Sequence, residues 1–555
     1  MNDPAFWLSP LTLTFDTQAL GHMKATSVDV EHEINGIPSA RITLALVTHA
    51  FGDVWRKVSD DAALCEPGTT LRVAVSAGAH ATPHVLFDGV VVEQRLRWQQ
   101  SQPELIVRAR HPLYRLAGAA RNRVHRDRSD AEVMRALLRE HHVATGGFAA
   151  NAAFQAPQEQ LIQWASSDWQ WLRSRLHAHG VWLVPGSGQV SCIVPELAAR
   201  PHHTVEAQRT NETDAAVLDG EWIFDAQEQP HGVDVAYWDV HRQAPSATRR
   251  AQAAPLGSEG LNPGRVRSLQ TQPWRLFHAV PLGVDEIQSQ ADARLLAQHA
   301  AAVQVRMRVP GSPQSLLYEL GQTLALRGFG RHFSGRGILA GVAHRWEQGL
   351  FETTITLGQD ALRPVDAALL PRAPGMTVGV VDTYAADARS LYRIPVRLPA
   401  LDNQVVRARF AQPYATQGGG LCLYPEPGDE VVLAFLDEDP RHPVILGATH
   451  NDMRQPPFPM GGTVRGLVFA AAEDDGAAAC RLVFDTEAGV TLQAANVAIG
   501  GDERVTLQAG TELAMVSSDK LDVKAKDATL HASNRVGMRG EEGVEIAGRK
   551  IDLNT

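Results

Sequence analysis

The chain has 555 residues, with 44% hydrophobic residues, 21% charged residues and a formal net charge of −10. This length exceeds what one hydrophobic core supports and predicts about three to five domains. The chain has no Lys/Arg block and no apolar run near the roughly 20 residues of a membrane helix, which argues against nucleic-acid binding and a membrane span. The segment Met1-Asn2-Asp3-Pro4 lacks a secretory signal, so we expect synthesis and folding in the cytoplasm.

Residues 1–115 are predicted to be rich in β-strands. Apolar and polar residues alternate in residues 41–47, 71–75, 87–92 and 105–109. Several such strands at this spacing indicate a barrel or a sandwich.

Residues 116–215 change to a helical pattern. Ser129 followed by Glu132 forms a capping box that predicts the start of a helix. A second helix is predicted over residues 168–179, with its N-cap at Ser167 and its end at Gly180.

Residues 216–370 combine an irregular stretch, a helix and strands. Residues 240–282 are rich in Gln, Pro, Ala, Ser and Arg and show little periodicity, which predicts a long irregular segment. A third helix is predicted over residues 285–302. Strands follow to about residue 362, and a Pro/Ala-rich linker follows at 364–374.

Residues 375–450 are predicted to form a compact β-domain. Five apolar runs within this short segment are typical of a small Greek-key barrel of the OB type. These runs are residues 378–381, 394–398, 405–409, 431–436 and 444–447. Residues 451–480 are predicted to be a linker.

Residues 481–555 repeat with a period of seven to eight residues. Each repeat carries two apolar residues two positions apart, which lie on the same face of a short strand. The residues between pairs are mostly turn formers such as Gly, Asp, Asn and Ser. The predicted inward residues, here called the axis residues, are Leu482, Phe484, Val490, Leu492, Val497, Ile499, Val505, Leu507, Leu513, Met515, Leu521, Val523, Leu530, Val536, Met538, Val544, Ile546, Ile551 and Leu553. Ala528 takes the remaining position.

A single narrow apolar face has nothing of its own to pack against. The repeats are too short for a solenoid, whose turns usually need about 18 residues or more. An intertwined homotrimeric β-prism, with three apolar faces turned inward, is the favoured arrangement. The alternative is an ordinary antiparallel meander.

Candidate chemistry is sparse. His141-His142 and His202-His203 have no third ligand at metal spacing, so no metal or cofactor site is predicted. The carboxylates of residues 437–439 suggest a solvated turn rather than a catalytic pair. No catalytic residue is predicted.

Two further residue sets, the aromatic residues of the OB segment and the cysteines, are interpreted without a binding or catalytic role. The OB segment carries Phe410, Tyr414, Tyr424 and Phe435, but its acidic hairpin argues against single-strand binding. The cysteines lie far apart and are interpreted as small buried residues; they are Cys65, Cys192, Cys422 and Cys480.

Residues 425–447, PEPGDEVVLAFLDEDPRHPVILG, closely resemble the OB signature of VgrG spike proteins and phage tail needles. The matching elements are the Gly-Asp-Glu-Val turn at 428–431, the Asp-x-Asp-Pro turn at 437–440 and Asn451 after the last strand. Residues 163–176 also resemble the hub half of that family, although Ser166 and Trp171 replace the usual Glu and Phe.

This resemblance implies a fold that is mainly β with α+β insertions. Residues 1–115 and 216–370 would be two barrel-type hub domains, and residues 116–215 an α/β hub insertion. Residues 375–450 would be the OB-fold domain and residues 481–555 a trimeric β-prism (β-helix) needle. The predicted linker is too short for a lysozyme domain like that of the best-known phage needle, and we expect no attached enzyme or toxin after the prism.

The resemblance implies a structural, non-enzymatic role as the central spike of a contractile injection system. The expected partners are the tail tube, baseplate proteins, a small conical PAAR-type tip protein docked at Asn554 and Thr555, and an effector. A homotrimer would adapt a sixfold tube to a threefold needle that punctures a membrane from the tip of the ejected particle. Type VI secretion, extracellular tail-like particles and phage or pyocin-like tails all use these parts. The alternatives are a β-helical polysaccharide-cleaving tail-spike enzyme and an OB-fold nucleic-acid-binding protein.

Overall fold

The computed structural model describes residues 10–46, 53–76, 82–99, 102–149, 151–198, 200–207, 217–252, 256, 269–358, 372–470 and 478–552. The chain divides into two compact units, Met1–Gln455 and Pro456–Thr555. The protein is mainly β and contains a closed five-stranded barrel, which confirms the predicted fold class.

The strands in chain order are β1 (Leu11–Phe15), β2 (Met23–Glu33), β3 (Ser39–Leu46), β4 (Thr70–Val75), β5 (His84–Gln99), β6 (Gln102–Arg110), β7 (Arg121–Arg128), β8 (Thr145–Phe148), β9 (Gln158–Ser166), β10 (Trp182–Pro185), β11 (Val190–Ile193), β12 (His203–Glu206), β13 (Asp219–Phe224), β14 (Val233–Asp239), β15 (Ala244–Pro245), β16 (Arg249–Arg250), β17 (Trp274–His278), β18 (Val303–Pro310), β19 (Thr323–Arg327), β20 (Gly335–Glu347), β21 (Leu350–Leu357), β22 (Met376–Val381), β23 (Ile394–Leu398), β24 (Gln404–Phe410), β25 (Ala415–Thr416), β26 (Gly419–Gly420), β27 (Glu430–Phe435), β28 (Pro443–Thr449), β29 (Val464–Ala470), β30 (Ala478–Asp485) and β31 (Gly489–Ala494).

The α-helices are α1 (Val54–Leu64), α2 (Asp130–Glu140), α3 (Ala152–Gln155), α4 (Asp168–His179), α5 (Val284–Ala302) and α6 (Gly330–Phe333). Short 3-10 helices are Pro112–Ala117, Ser315–Leu317, Pro399–Leu401 and Leu436–Glu438.

One long sheet runs through the first unit. Its strand order is β1-β4-β5-β6-β3-β2-β20-β21-β18-β13, with β12 and β19 attached beside β20. The antiparallel pair β2–β20 joins strands from residues 1–115 to strands from residues 200–360, with Ser27 opposite Glu347 and Glu33 opposite Gly341. We call this pair the seam.

Period-two alternation explains how the sheet buries one face. In β3, Ala40, Ile42 and Leu44 are buried; in β18 the alternate residues Val305 and Met307 are buried as well. Each half of the sheet has its own hydrophobic core, and Phe351 from β21 belongs to the core of the N-terminal half.

The predicted helices of the insertion form as expected. The Ser129 hydroxyl accepts a hydrogen bond from the Glu132 backbone N–H at 3.2 Å, and the Glu132 carboxylate accepts one from the Ser129 backbone N–H at 2.8 Å. This confirms the capping box of α2. Helix α4 is capped by Ser167 and ends at Gly180, which is left-handed with φ 62°.

The prediction of an irregular segment over residues 240–282 is partly wrong. Strand β14 pairs with β15 and β16 and, in parallel, with β17, and these strands lie in or border that range. Because β15 and β16 have only two residues each, they leave no periodic signal in the sequence.

The OB segment closes into the barrel β22-β23-β24-β28-β27. The turn before β27 needs Gly428, whose φ is 93° and whose N–H donates to the Val381 carbonyl at 2.9 Å. The barrel core includes Val396, Leu433 and Ile445, all fully buried.

The second unit begins with the antiparallel sheet β29-β30-β31. Strand β29 lies within the range predicted as a linker. In this sheet Leu482 lies opposite Leu492 and Phe484 opposite Val490, so the first two apolar pairs share one face. Residues 495–552 follow without assigned strands, and every one of them is exposed.

Candidate functional site

A buried ion-pair network joins the OB barrel to the helices of the first unit. Arg441, in the turn between β27 and β28, donates from Nη1 to Glu286 on α5 at 2.9 Å and from Nη2 to Asp439 at 2.8 Å. The side chains of Arg441 and Glu286 are only 9% and 6% exposed. The contact therefore fixes the barrel turn against the first turn of α5.

The network continues into the insertion. Arg175 on α4 donates to Asp130 on α2 at 2.6 Å, and its Nη2 lies 3.9 Å from Glu286. His179 Nε2 lies 2.9 Å from the other oxygen of Asp130. We call Asp130, Arg175, His179, Glu286, Asp439 and Arg441 the junction network.

Charge pairing keeps these buried carboxylates ionised. Burial alone would raise the pKa of Asp439, but the Arg441 guanidinium outweighs it and holds that pKa well below its usual range. Burial likewise opposes a lowered pKa at Asp130, and Arg175 and His179 overcome it. For Glu286, Arg441 and Arg175 outweigh burial and lower the pKa.

Ser289, His179 and Asp130 form a serine–histidine–aspartate series, with His179 Nδ1 at 3.2 Å from the Ser289 hydroxyl. A hydrolytic triad needs a nucleophile that substrate can reach. Ser289 is 7% exposed and His179 is 2% exposed, and the Phe154 ring packs edge-on against His179. The series therefore serves to hold α2, α4 and α5 together.

A second set of contacts surrounds the network. The Trp164 ring on β9 packs edge-to-face on Phe435 of β27, with centroids 5.1 Å apart. Ile162, also on β9, is part of the barrel core. Arg393 on the barrel side pairs with Glu159 at 3.0 Å. The barrel thus contacts the insertion through both apolar and ionic groups.

The interpretation of residues 437–439 as a solvated turn is wrong for Asp439, whereas Asp437 is exposed and Glu438 is half-buried. The Asp437 carboxylate accepts a hydrogen bond from the Ala279 N–H at 2.6 Å, Glu438 pairs with Arg372 at 3.3 Å, and Asp439 belongs to the junction network. These partners lie up to 158 residues away in the sequence, so local composition could not reveal them.

The structure also places the histidine pairs and the cysteines, for which no functional site was predicted. His141 Nε2 lies 2.7 Å from Asp168, and His203 begins β12. Among the described residues, no group of three or more His, Cys, Asp or Glu side chains could hold a metal ion. Cys65 and Cys192 are buried, whereas Cys422 is exposed, which corrects the interpretation of that cysteine.

The axis residues are not covered within one chain. The seventeen axis residues from Phe484 to Ile551 are each between 49% and 77% exposed, and Leu482 is half-buried. By contrast, the period-two apolar residues of β18 are at most 3% exposed. Leu553, Asn554 and Thr555 lie outside the described residues.

Family models match two parts of the chain. Residues 377–450 match the model described as the type VI secretion system/phage-baseplate injector OB domain. Residues 10–348, more than half of the 555, match the model described as the Alg8 N-terminal domain. The chain belongs to the Alg8 N-terminal domain family. Among curated proteins, no sequence matches the chain.

Solved structures resemble the chain at low identity. The lidded Francisella PdpA–VgrG complex has a TM-score of 0.54 at 6% identity, covering 88% of this chain and 80% of the other. The lidless PdpA–VgrG complex has a TM-score of 0.52 at 7% identity, covering 89% and 100%. The E. coli c3393 protein, described as a component of the type VI secretion system, has a TM-score of 0.49 at 14% identity, covering 79% and 100%.

The comparisons confirm the resemblance drawn from residues 425–447: the chain has the fold of VgrG-like spike proteins. Within the described part of the chain, no helix has the length and apolarity needed to cross a membrane.

Proposed function

We propose that the chain is the central spike of a contractile injection system and acts as a homotrimer without catalytic activity. Its first unit would form the hub and OB barrel, and its second unit would form a needle around a shared threefold axis. The observation that carries this proposal is the exposed apolar ladder that follows an injector-type OB barrel.

The ladder needs partners for two physical reasons. Backbone N–H and C=O groups of an extended segment require a neighbouring strand or water, and residues 495–552 have no assigned strand partner in their own chain. Each exposed Val, Leu, Ile or Met would contribute roughly 1.5–3 kcal/mol if it were covered. Three copies winding around one axis would satisfy both requirements along the whole ladder and would leave few open strand edges.

The first unit supports the role of an adaptor. Its long sheet contains two halves on either side of the seam, each with its own core. Three chains would present six such halves to a sixfold tail tube. The junction network would pass axial load from these halves to the OB barrel without relative movement.

The remaining assignments follow from the spike role. The chain would be made and assembled in the cytoplasm, held by baseplate proteins and ejected so that it transiently punctures a target membrane. Asn554 and Thr555 would dock a conical tip protein or an effector. The resemblance to VgrG in complex with PdpA supports a second bound protein.

The native mass of the purified full chain tests the proposal. One chain has a mass of 60.2 kDa, so a trimer would give about 181 kDa, three times that value. A monomer of 60.2 kDa whose residues 481–555 are protected from proteolysis would contradict the shared axis. In that case the repeat would have to close on itself.

A further inference from the structure

The seam is the pairing that connects the two halves of the long sheet. Val30 on β2 lies opposite His344 on β20, and His32 lies opposite Val342. His32 and His344 are therefore diagonal neighbours on the same face of two adjacent strands. A third histidine, His84, begins β5 and lines the same cavity.

The cavity has a volume of about 570 Å³ and lies where four segments meet. Its walls come from the seam, from the start of β5, from the turn between β10 and β11 and from residues 316–320. The three imidazoles share these walls with apolar side chains such as Leu86 and Leu320. Histidines in such surroundings lose hydration when they become charged.

His344 and His32 are each held in a defined place by hydrogen bonds. His344 is 6% exposed, its Nδ1 lies 3.0 Å from the Thr353 hydroxyl, and its ring stacks on Phe351. His32 Nε2 lies 2.8 Å from the Leu86 carbonyl of β5. Protonation therefore cannot be accommodated by simple rotation of these rings into water.

The charged and titratable neighbours give little compensation. Glu319 is the carboxylate among the described residues that line the cavity, and it favours charged His84. Tyr318 is buried, and burial raises its pKa to about 12, so it stays neutral. On the other side, Glu31, Glu33 and Arg110 share a groove with His32. Burial and repulsion from His32 lower the pKa of the neighbouring His111 to about 4, and Asp88 only partly offsets this shift.

Burial accounts for the direction of every shift in this group. It lowers the pKa of His344 to about 3, with further repulsion from His32 and His84. Burial also lowers the pKa of His32, and the carbonyls of Leu86 and Pro185 only partly offset it. All three imidazoles are thus neutral at pH 7 and would become charged more readily once the seam opens.

We propose that His32, His84 and His344 form an acid-sensitive joint that keeps the two halves of the long sheet closed at neutral pH and loosens the seam in acid. This inference does not depend on the proposed spike function or on trimer formation. It rests on the shared face of β2 and β20, the cavity that the imidazoles line and the presence of one carboxylate, Glu319, among the described residues of that cavity.

Proton linkage determines whether acid stabilises or destabilises the closed seam. A histidine whose pKa is lower in the closed seam than the ordinary value of about 6.5 binds its proton preferentially in the open seam. Closed-state stability is therefore complete above about pH 6.5 and declines as the pH falls below it. Each such histidine increases the opening equilibrium by about tenfold per pH unit until the closed-state pKa is reached.

Hydrogen–deuterium exchange of the full chain between pH 7 and pH 4.5 tests the joint. Rates are converted to protection factors, which removes the pH dependence of intrinsic exchange. We expect the amides of β2 and β20 to lose at least about tenfold in protection per pH unit below 6.5. Strands β18 and β24, which pair with none of the strands that carry the three histidines, serve as internal references and should retain theirs.

Variants distinguish titration at the joint from general acid unfolding. His344→Gln keeps a hydrogen-bonding group for Thr353 but cannot be protonated, so it should reduce the pH slope at the seam by about tenfold per pH unit. His84→Gln changes a half-exposed residue and provides a second, better tolerated test. His231→Gln, at an exposed histidine, should leave the slope unchanged. Equal loss of protection in seam and reference strands, or an unchanged slope in both cavity variants, would overturn the proposal.

Discussion

The two units of this chain use apolar residues in opposite ways. In the first unit, the alternate apolar side chains of β18 are at most 3% exposed, because other elements of the same chain cover them. In the second unit, a pattern with the same period leaves its apolar residues at least 49% exposed from Phe484 onward. The difference shows that alternation identifies a buried strand face in the first unit, whereas over residues 495–552 the same alternation has neither an assigned strand nor cover within the described chain.

The same contrast holds for polar contacts. The first unit contains long-range ion pairs such as Arg441–Glu286, which lies across 155 residues of sequence. Among the ion pairs of residues 495–552 in the described structure, Lys520–Asp522, Lys524–Asp522 and Lys550–Asp552 each join residues two positions apart. Such exposed local pairs contribute at most about 1 kcal/mol. The first unit is therefore specified by long-range contacts of its own, whereas the ion pairs of residues 495–552 are local and exposed.

Removal of the second unit should give the largest effect. A chain ending at Gln455 keeps the cores and the junction network of the first unit, so we expect it to remain folded. Without the ladder, it should be a monomer at concentrations where the full chain forms the 181 kDa trimer (three times 60.2 kDa). Native mass spectrometry and circular dichroism check both statements. A truncated chain that keeps the full chain's trimer stability would show that the first unit alone supplies the trimer contacts.

A single inward charge should have the next largest effect. Val523→Asp would place three carboxylates near the axis of a trimer, at a cost of at least about 3 kcal/mol per trimer. Val516→Asp is the matched control, because Val516 has the opposite parity to Leu513 and Met515 and is 94% exposed. Thermal dissociation of the trimer measures both variants. Equal destabilisation by the two substitutions would contradict the assignment of the axis face.

Substitution of Arg441 tests how much the buried ion pairs of the junction network contribute to the free energy of unfolding of the first unit. Arg441→Ala removes the arginine partner of Asp439 and leaves Glu286 with Arg175 at 3.9 Å in a largely buried site, so we expect a loss of about 3 kcal/mol. Arg72→Ala removes an exposed pair with Asp88, for which we expect about 0–1 kcal/mol. Urea unfolding of the chain ending at Gln455 gives the two values.

Hydrogen exchange also shows which elements of the first unit lose protection in Arg441→Ala. Hydrogen exchange in Arg441→Ala should increase at β27, β28 and the first turn of α5, while β3 and β6 retain their protection. A uniform increase across the first unit would show that the network contributes to global stability without fixing the barrel turn. Trimer mass should not change, because the axis residues are untouched.

Local signals in the sequence were sufficient for much of the fold. The capping box at Ser129, the helix end at Gly180 and the five barrel strands each depend on residues close together in the chain, and the structure confirms them. The junction network was not predictable, because Asp130, Glu286 and Arg441 meet only after folding and each residue type is common on solvated surfaces. The interpretation of Asp439 failed for this reason.

The exposed ladder presents the reverse situation. Its period was clear in the sequence and predicted the strand faces, yet the single chain provides no cover for them. Over residues 495–552 the face stays exposed in the described chain, and the proposed trimer would cover it. The assignment of the axis residues therefore remains a prediction that depends on the oligomer.

The smallest predicted effect concerns the cap of α2 and sharpens the description of the first unit. Ser129→Ala removes the acceptor for the Glu132 N–H, and we expect a loss of about 1 kcal/mol. Ser129→Gly should cost only a few tenths of a kcal/mol, because glycine is itself tolerated at an N-cap. Urea unfolding of the chain ending at Gln455, with hydrogen exchange at α2, measures both. If glycine cost as much as alanine, the role of Ser129, which is 1% exposed, would be packing rather than capping.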